Sequence, residues 1–455
     1  MTLIDELRAL LGEAGVLDAE ALATRTAGAF RRDNLQALAL ARPASTEEVS
    51  KLLRFCSARQ IRVVPQGGLT GLVHGADAAP QELILSLERM RRIERIDVLQ
   101  RVAVAEAGVT LQALQEAVEA QGLAFALDLG ARGTATLGGN AATNAGGNRV
   151  LRYGMMRDMV LGLEVVLADG TVLSSMNELI KNNSGYDLKQ LFIGSEGTLG
   201  VITRLVLRLR EQPGSSQLAL AGLARFGDLP LLLKHLEREL GGELTAFEVM
   251  WQDYYRLVST APARGQPPIS QQYPFYALVE ARGVAPERFQ AVLALAMEAG
   301  LVADAALAQS EADALAFWAL REDVEQVARD GMPLVYDISL PIGAMEAYTR
   351  ELAAALSRLL GDAHRLWIFG HLGDGNLHLV VQLQPQAYTA ARPQVDALVY
   401  APLAALRGSV SAEHGIGLEK KPWLAHCRND AELRLMRTLK TALDPQGLLN
   451  PGKIL

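Results

Sequence analysis

Two histidines, His371 and His378, flank the dipeptide Asp374-Gly375 and could bind a metal ion together. Asp-Gly between two apolar runs predicts a type I′ hairpin turn, because both central residues of that turn need a positive φ. The turn would place His371 directly opposite His378, and opposed residues of an antiparallel pair point to the same face. Side-by-side imidazoles are typical of metal ligands, although a purely structural hairpin is the alternative.

Glu413 and His414 could complete such a site. They lie in the sequence Ser-Ala-Glu-His-Gly-Ile-Gly at 411–417, where the two glycines predict a tight turn that displays both side chains. Two histidines and one carboxylate with open coordination positions are typical of a catalytic metal site rather than a structural one. His414 is then suited to act as a general base, since histidine titrates near neutral pH.

Arg321 lies in the mostly apolar helical pattern at 318–322 and could offer a bidentate fork to a carboxylate. On the sequence alone, a solvated charge on a helix face is the favoured interpretation of this residue. The histidines at 74, 235, 364 and 426 stand in ordinary contexts, and no role is assigned to them.

Three polar, glycine-rich segments predict a binding site for an extended anionic ligand. They cover residues 65–72, 130–147 and 194–200. Glycine leaves backbone N–H groups open to an anion and permits a positive φ. The first segment alone would be interpreted as a surface turn, since it matches neither GxxxxGK[ST] nor GxGxxG. Together the three suit a pyrophosphate and a flat ring system, and the missing Walker lysine argues against nucleotide hydrolysis.

The elements that must position these residues can be predicted from the surrounding sequence. Ser45 with Glu48 forms a capping box that starts a helix, and a strand at 61–64 leads into the first glycine loop. Residues 159–173 predict a hairpin that turns at Asp169-Gly170. After the breaker at 211–214, short strands alternate with helices, which indicates a mostly antiparallel sheet with helices on one face. The predicted fold class is therefore α+β.

Length and composition narrow the function classes. The 455 residues suggest two or three units, and residues 1–34 are predicted to form a helical arm. The net charge of −7 argues against a general nucleic-acid binder. Cys56 and Cys427 are far apart and predict no disulfide framework, so a cytoplasmic location is expected, with peripheral membrane association open. We find no secretory signal and no apolar run long enough for a transmembrane helix.

Several longer motifs follow one another in order from about residue 35 to the C-terminus. They are Pro65-Gln66-Gly67-Gly68, Asn140 with Thr143-Asn144-Ala145-Gly146-Gly147, Arg152-Tyr153-Gly154, Gly185-Tyr186-Asp187-Leu188, 194–200, 318–322, Tyr336-Asp337 with Ser339-Leu340-Pro341, 371–378, 411–417 and Asn450-Pro451. In this set the chain resembles the FAD-linked D-2-hydroxyacid dehydrogenases of the vanillyl-alcohol-oxidase type, which include D-2-hydroxyglutarate and D-lactate dehydrogenases.

The resemblance implies a PCMH-type FAD-binding domain at 1–213 and an FAD-linked oxidase C-terminal domain at 214–455, whose last residues return to the flavin. The residues that it implies for FAD binding are Pro65, Gly67, Gly68, Leu69, Thr70, Gly71, Leu72, Asp128, Thr136, Gly139, Asn140, Thr143, Asn144, Gly146, Glu196, Gly197, Gly200, Val201, Ile202 and Asn450. FAD is expected to be non-covalent, because position 69 and its neighbours carry no histidine.

In the second domain, the resemblance implies that His371, His378 and Glu413 bind a divalent metal, with zinc expected. It implies that His414 is the base and that Arg321 takes the substrate carboxylate. The reaction would convert a D-2-hydroxy acid to the 2-oxo acid, with hydride passing to flavin N5. The electron acceptor is open between an electron-transfer flavoprotein, a quinone and a cytochrome, and a homodimer is expected.

Three positions depart from the hydroxyglutarate members of that family. The resemblance implies that those members bind the second carboxylate of their substrate with a Thr, a Lys and an Asn. At the same positions this chain has Glu325, Val335 and Val380. A second substrate carboxylate would be desolvated and repelled there, at a cost of several kcal/mol. The sequence therefore favours an apolar, monocarboxylic substrate that is D-lactate-like or larger. D-2-hydroxyglutarate dehydrogenase and an O₂-using oxidase similar to a glycolate oxidase subunit are the alternatives. Leu69 is a further departure, since relatives usually carry Asn there.

Overall fold

A computed structural model describes residues 2–28, 31 and 33–455. The strands are β1 Val16–Leu17, β2 Ala39–Ala41, β3 Val63–Gln66, β4 Leu83–Ser86, β5 Ile93–Asp97, β6 Val102–Glu106, β7 Leu123–Ala124, β8 Val160–Val166, β9 Val172–Ser175, β10 Val201–Arg208, β11 Arg210–Glu211, β12 Ser216–Leu223, β13 Leu244–Trp251, β14 Phe275–Arg282, β15 Asp304–Leu307, β16 Met332–Ser339, β17 His364–His371 and β18 Asn376–Leu383.

The α-helices are α1 Leu3–Leu11, α2 Ala19–Leu22, α3 Thr46–Arg59, α4 Leu111–Glu119, α5 Leu137–Thr143, α6 Val150–Tyr153, α7 Met156–Met159, α8 Lys189–Phe192, α9 Asp228–Leu240, α10 Gln252–Ser259, α11 Pro286–Glu298, α12 Glu311–Glu322, α13 Ile342–Leu360, α14 Pro385–Tyr400 and α15 Asp430–Leu443. Short 3₁₀ turns occur at Glu13–Gly15, Val324–Ala328, Leu372–Asp374, Ala401–Leu403 and Lys421–His426. No helix among the described residues has both the length and the apolarity to cross a membrane.

The chain divides into two compact units. The first comprises Met1–Gly147, Gly154–Gln212 and Glu413–Leu455, and the second comprises Asn148–Tyr153 and Pro213–Ala412. The division after Gln212 lies within a residue of the predicted one. The returning C-terminal segment is much longer than the predicted last residues, and the short segment Asn148–Tyr153 belongs to the second unit although the sequence around it belongs to the first.

The first unit contains two main sheets. One has the order β1-β2-β4-β3, with β2 and β3 both parallel to β4. The other is antiparallel with the order β5-β6-β10-β8-β9, and β8 pairs with β9 on either side of the predicted turn at Asp169-Gly170, which confirms that hairpin. Ser45 caps α3 through the N–H of Glu48, and Val49, Leu52 and Leu53 of that helix are buried.

The predicted helical arm at 1–34 is only partly helical. Met1, Ala29, Phe30 and Arg32 lie outside the described residues. In the rest, α1 and α2 are separated by β1, whose residue Val16 pairs with Ala41 of β2. The apolar residue Val16 is buried against this partner, so tertiary pairing overrides the local helical pattern.

The second unit is built on one seven-stranded sheet with the order β15-β12-β14-β13-β17-β18-β16. Every neighbouring pair is antiparallel, so the α+β class is confirmed. One face packs with α10 and α12 into a core that includes Tyr254, Leu320, Trp367, Phe369 and Val380. Ser310 caps α12 through the N–H of Asp313, and the last turn of this helix carries Arg321.

Candidate active site

The histidine hairpin forms with a different register from the predicted one. His378 of β18 lies opposite Phe369 of β17, so His371 is two residues further along the same face. A 3₁₀ turn at Leu372–Asp374 joins the strands, and Gly375 has a φ of 81°. The prediction of a two-residue type I′ turn with His371 directly opposite His378 was therefore wrong. The two rings still meet edge to face, with centroids 5.3 Å apart.

The two strands of the hairpin approach each other closely at Gly370. Gly370 has a φ of 158°, and a Cβ there would lie 2.4 Å from the backbone oxygen of Asn376. The ladder between β17 and β18 ends at Phe369 and His378, one residue before this close approach. Burial raises the pKa of Asp374, in the turn, to about 6.

A buried carboxylate lies behind each histidine. Glu248 of β13 is directly opposite His371, and its Oε1 lies 2.6 Å from His371 Nδ1. Since an ionised carboxylate only accepts hydrogen bonds, Nδ1 is the protonated nitrogen of the neutral ring, and Nε2 of that tautomer keeps its lone pair. Asp337 of β16 is opposite His378, and its Oδ1 lies 3.8 Å from His378 Nδ1. Carboxylates behind metal-binding histidines orient the rings and fix their tautomer.

Arg321 is buried and is not the solvated helix-face charge that its sequence context favoured. Its guanidinium Nε donates to Glu248 Oε2 over 2.8 Å, and its Nη2 lies 3.4 Å from His371 Nε2. The guanidinium also lies over the Phe369 ring, 4.7 Å from the centroid. Burial raises the pKa of Glu248, but His371 and Arg321 outweigh that effect and hold the pKa below its usual range.

Asp337 also holds the last residues of the second unit. Its Oδ2 accepts from the backbone N–H of Ala412 over 3.1 Å and from the Ser411 hydroxyl over 3.5 Å, while Oδ1 accepts from the Asn376 amide over 2.8 Å. Asp337 is 0% exposed. The chain therefore leaves this unit beside His378, and Glu413 follows Ala412 by one peptide bond.

An apolar row runs across three strands next to the histidines. Val335 of β16 and Trp367 of β17 both oppose Val380 of β18. Val380 is two residues from His378, so this row lies on the same face as that histidine. Val380 is 2% exposed and Val335 is 38% exposed, while Glu325 is exposed in the 3₁₀ turn at Val324–Ala328.

In the first unit, the glycine-rich segments converge as predicted. A Cβ on Gly68 would lie 1.9 Å from the backbone oxygen of Thr134, and one on Gly67 would lie 2.6 Å from Thr136 Oγ1. The third segment docks on α5, where the N–H of Glu196 donates to the Ala142 oxygen over 2.8 Å. The three loops therefore form one assembly around the start and end of α5.

The C-terminal return joins the same assembly. The Glu196 carboxylate accepts from the N–H groups of Ile416 and Gly417 over 2.7 and 2.8 Å. The side-chain amide of Asn450 donates to the backbone oxygen of Glu196 over 2.7 Å and to that of Gly75 over 3.0 Å. Burial raises the pKa of Glu196, although the two backbone N–H groups act against it.

Comparison with known proteins agrees with this architecture. A family model described as "FAD binding domain" matches residues 37–175, and one described as "FAD linked oxidases, C-terminal domain" matches residues 212–454. A mitochondrial D-2-hydroxyglutarate dehydrogenase from Bos taurus is 44% identical over 91% of this chain and 76% of its own length. A D-2-hydroxyglutarate dehydrogenase from Xanthomonas citri is 42% identical over 93% of this chain and 90% of its own.

The chain belongs to the FAD-linked D-2-hydroxyacid dehydrogenases. Two solved structures share its fold at low identity. A 4-ethylphenol oxidase from Gulosibacter chungangensis has a TM-score of 0.75 and 20% identity, and a p-cresol methylhydroxylase has a TM-score of 0.76 and 16% identity. Each alignment covers 99% of this dehydrogenase and 96% of the other chain.

The first unit of this dehydrogenase fits FAD. The Asn140 amide nitrogen and the Asn450 side-chain oxygen are buried and find no hydrogen-bond partner within residues 2–28, 31 and 33–455. Buried polar atoms are normally paired, so two such atoms on residues of the converging loops indicate a polar ligand. A side chain on Gly67 or Gly68 would collide with Thr136 or Thr134, just before the start of α5, so the two glycines let this backbone lie close to the start of that helix.

The other predicted FAD residues of this dehydrogenase occupy the same unit. Thr136 caps α5 through the N–H of Gly139, and Thr143 donates to the Gly139 oxygen over 3.1 Å. Asn144 ends the helix with a φ of 51°. Leu69 has a φ of 55°, a conformation that Asn adopts more readily than Leu. Asp128 pairs with Arg132, and Val201 and Ile202 are buried at the start of β10.

Glu248 was missed by the sequence analysis. Its signal was an acidic residue inside the apolar strand sequence Leu-Thr-Ala-Phe-Glu-Val-Met-Trp of β13. A single charge in a buried strand needs a partner, and the partners Arg321 and His371 lie 73 and 123 residues away in sequence. Asp337 belongs to the Tyr336-Asp337 motif of the sequence analysis, but its contacts with the hairpin and with Ala412 were not predicted.

Proposed function

We propose that this dehydrogenase oxidises an apolar, monocarboxylic D-2-hydroxy acid in a reaction that depends on FAD and a divalent metal. The observation that carries the proposal is the 3.4 Å separation of Arg321 Nη2 and His371 Nε2 on one face of the second unit's sheet. A group that binds carboxylates thus lies beside a group that binds metals. A 2-hydroxy acid offers a carboxylate and a hydroxyl on adjacent carbons, which matches that pair.

His371, His378 and Glu413 are the proposed metal ligands. The two rings meet with their Nδ1 atoms facing Glu248 and Asp337, which leaves Nε2 of each ring for a metal. Glu413 follows Ala412, which Asp337 holds by its backbone N–H. A bound divalent metal supplies Lewis acidity that favours ionisation of a substrate hydroxyl, and zinc with a histidine–carboxylate ligand set is a common form of such a site.

The residues of the converging loops, including Gly67, Gly68, Asn140 and Asn450, are proposed to hold FAD. When bound, the flavin supplies the acceptor for the hydride from substrate C2. The protein itself binds and orients the substrate. Arg321 would pair with the carboxylate, and burial of its guanidinium strengthens such an ion pair. His414 is proposed to take the hydroxyl proton.

The substrate side chain is proposed to lie on the Val335–Val380 row. The pairing of Val335 with Val380 beside Asp337 and His378 supports an apolar wall at this place. A second carboxylate on such a wall would lose its hydration without gaining a hydrogen bond. The test is a substrate panel of D-lactate, D-2-hydroxybutyrate and D-2-hydroxyglutarate, followed by the loss of flavin absorbance. A higher kcat/KM for the monocarboxylic acids is expected, and a strong preference for D-2-hydroxyglutarate would overturn the proposal.

D-2-hydroxyglutarate is the second candidate substrate. It is favoured by the names of the relatives from Bos taurus and Xanthomonas citri, which are 44% and 42% identical to this chain. The same panel distinguishes the two candidates. An O₂-using oxidase would share every group described above, and stopped-flow reoxidation of the reduced flavin by air separates that activity from a dehydrogenase.

Two variants of the experiment test the metal and the base. Chelation of the metal should abolish flavin reduction while the flavin spectrum stays, and added Zn²⁺ should restore the reduction. His414→Ala should also abolish flavin reduction with FAD still bound, because the substitution removes the group that takes the hydroxyl proton. Substantial reduction by the chelated enzyme would contradict the metal role, and substantial reduction by His414→Ala would contradict the base.

A further inference from the structure

We propose that Glu248 is a positioning residue that sets the proposed metal ligand His371 and the proposed substrate arginine Arg321 at the same time. This inference rests on the proposed function, which supplies the roles of those two residues. One oxygen of Glu248 lies 2.6 Å from His371 Nδ1, and the other accepts from Arg321 Nε over 2.8 Å. A single carboxylate thus joins the metal-binding hairpin to the helix that carries the arginine.

The three side chains form a closed arrangement. Arg321 Nη2 returns to His371 Nε2 at 3.4 Å, so carboxylate, guanidinium and imidazole each contact the other two. Glu248 is 1% exposed and Arg321 and His371 are each 5% exposed. Water therefore competes little for these hydrogen bonds, and a change at Glu248 has to reach both neighbours.

The other sides of Arg321 are also fixed. The Tyr254 hydroxyl donates to the Arg321 backbone oxygen over 3.1 Å, and the Tyr254 ring stacks on Phe369 with centroids 4.1 Å apart. Phe369 lies beneath the guanidinium. The Phe369 ring thus contacts one face of the guanidinium, and the Glu248 carboxylate binds its Nε edge. The Nη edge, which faces His371 Nε2, is the part that a substrate carboxylate would meet.

Replacement of Glu248 by glutamine cannot satisfy both neighbours. A glutamine side chain has one carbonyl oxygen and one NH₂ group. If the NH₂ group faces Arg321, two donors oppose each other. If it faces His371, Nδ1 has to accept the hydrogen bond, the proton moves to Nε2, and that nitrogen cannot bind a metal. Either orientation also removes the negative charge that both neighbours share, so the substitution is expected to weaken both carboxylate binding and metal binding, although it changes only one heavy atom.

Glu280 provides a matched control on the same sheet. Leu278 of β14 opposes Glu248, and Glu280 is two residues from Leu278, so both carboxylates lie on one face. Glu280 is also 1% exposed and also accepts from arginines, namely Arg149 over 3.3 Å and Arg282 over 3.1 Å. Among the described residues, the hydrogen-bond partners of its carboxylate are Arg149, Arg282, Ser216 and Thr245, none of which is a proposed metal or substrate residue. Glu280→Gln therefore repeats the burial and the chemical change of Glu248→Gln at a neighbouring position that holds neither His371 nor Arg321.

The first measurement is metal affinity, which does not require turnover. FAD-loaded enzyme is stripped of metal, and Zn²⁺ binding is measured by competition with a chromophoric chelator for wild type, Glu248→Gln, Glu248→Asp and Glu280→Gln. Loss of the carboxylate behind a metal-binding histidine typically weakens the metal about 10- to 100-fold, and this loss is expected for Glu248→Gln. Glu248→Asp keeps the charge with one methylene less and should lose less. Glu280→Gln should bind Zn²⁺ like the wild type.

The second measurement is pyruvate binding to the zinc-free, FAD-loaded proteins by calorimetry. Glu248→Gln should weaken pyruvate by about tenfold, the equivalent of one charge-assisted hydrogen bond, while Glu280→Gln should not. Loss of zinc affinity alone, loss of pyruvate affinity alone, or equal losses in Glu280→Gln would each overturn the joint role of Glu248. If Glu248→Gln does not fold, Glu248→Asp carries the same comparison. A wild type that binds no Zn²⁺ or no pyruvate would instead contradict the proposed function.

Discussion

Val335 and Val380 face each other across β16 and β18, two residue pairs along the strands from Asp337 and His378 and on the same face. The relationship places an apolar surface two residues from a proposed metal ligand. Val380 is buried in the core, so a polar group there would cost about 1–3 kcal/mol of stability. Val335 is 38% exposed and can be changed without that cost. Val335 is therefore the better position for testing which substrate side chain binds on the Val335–Val380 row.

Val335→Lys should shift the substrate preference toward a dicarboxylic 2-hydroxy acid. A charge-assisted hydrogen bond to a second carboxylate is worth about 1.5–3 kcal/mol, so the kcat/KM ratio of D-2-hydroxyglutarate to D-lactate should rise roughly tenfold or more. Val335→Met has a similar length without the charge and should leave the ratio unchanged. An equal change in both variants, or no change in Val335→Lys, would show that this side chain does not meet the substrate.

Gly68→Ala should weaken FAD binding, whereas Gly71→Ala should not. A Cβ at Gly68 would lie 1.9 Å from the Thr134 oxygen, while a Cβ at Gly71 meets nothing within 4 Å. Overpacking costs about 1–3 kcal/mol, so the FAD dissociation constant of Gly68→Ala should rise roughly tenfold or more. Titration of flavin-free protein by fluorescence measures this constant. Equal affinities of the two variants would contradict close packing of the loop on α5.

The contribution of His74 to stability should fall as the pH rises. The hydrogen bond that His74 Nδ1 donates to the Asp77 carboxylate over 3.0 Å raises the pKa of His74, whereas burial lowers it. Glu419 favours the charged form of His74 and Arg31 opposes it. A raised pKa stabilises the folded protein fully below the unfolded value of about 6.5, and this stabilisation disappears as the pH passes the folded value. Asp77 has its pKa lowered to about 2, so it stays ionised throughout this range.

His74→Gln should therefore lower the unfolding temperature more at pH 5.5 than at pH 9. His74 is partly exposed to solvent, so the difference in the free energy of unfolding should stay below about 1 kcal/mol. Thermal unfolding of the FAD-loaded protein at both pH values measures the shift, and His364→Gln is the control. A larger loss at pH 9 than at pH 5.5 would contradict stabilisation of the folded protein by protonated His74.

The histidine hairpin shows how much of the site could be predicted from sequence. Asp374-Gly375 correctly indicated a turn and a shared face for His371 and His378, because the period of a strand fixes which side chains meet. The register could not be predicted, because a 3₁₀ turn at Leu372–Asp374 joins the strands in place of the two-residue turn that Asp-Gly favours. The α+β class followed from local patterns in the same way, while the pairing of β1 with β2 depended on tertiary contacts that no local pattern carries.

Arg321 shows the complementary limit. Its local sequence favoured an exposed charge, because arginine is mostly exposed in folded proteins and the partner Glu248 lies far away in the chain. Its partner Glu248 lies on β13, and an arginine is rarely buried unless it pairs with a carboxylate of this kind. Charge burial is therefore a property of contacts between distant segments. Acidic residues inside apolar strands, such as Glu248 and Glu280, are the sequence signal that such partners exist.

Lys440→Met should loosen the C-terminal return and weaken FAD binding. Lys440 Nζ donates to the backbone oxygens of Thr198 and Leu449, both over 2.8 Å, and pairs with buried Asp444. It therefore joins the third glycine-rich segment to the residue before Asn450. Loss of a hydrogen-bonded charge that leaves Asp444 buried should cost about 1–3 kcal/mol.

The matched control is Arg437→Met on the same helix, where the side chain is exposed. It should change the free energy of unfolding by less than about 0.5 kcal/mol. FAD titration and thermal unfolding of both variants provide the measurement. Similar effects of the two substitutions would show that Lys440 does not hold the tail.

Arg149→Met should destabilise the second unit far more than Arg152→Met. Both arginines belong to Asn148–Tyr153, the short segment that packs with the second unit, and each pairs with a glutamate there. Glu280, the partner of Arg149, has a side chain that is 2% exposed, whereas Glu243, the partner of Arg152, has one that is 37% exposed. Breaking a buried ion pair on one side costs about 3–5 kcal/mol, because a charge is left buried with fewer partners.

Glu280 keeps Arg282, Ser216 and Thr245, so the loss for Arg149→Met should lie near the lower end of that range, at about 3 kcal/mol. Arg152→Met removes a partly exposed pair and should cost about 1 kcal/mol or less. Urea unfolding followed by the fluorescence of Trp251 and Trp367, which both lie in the second unit's sheet, measures the two losses. Equal losses would mean that burial of the glutamate does not decide the strength of these two ion pairs.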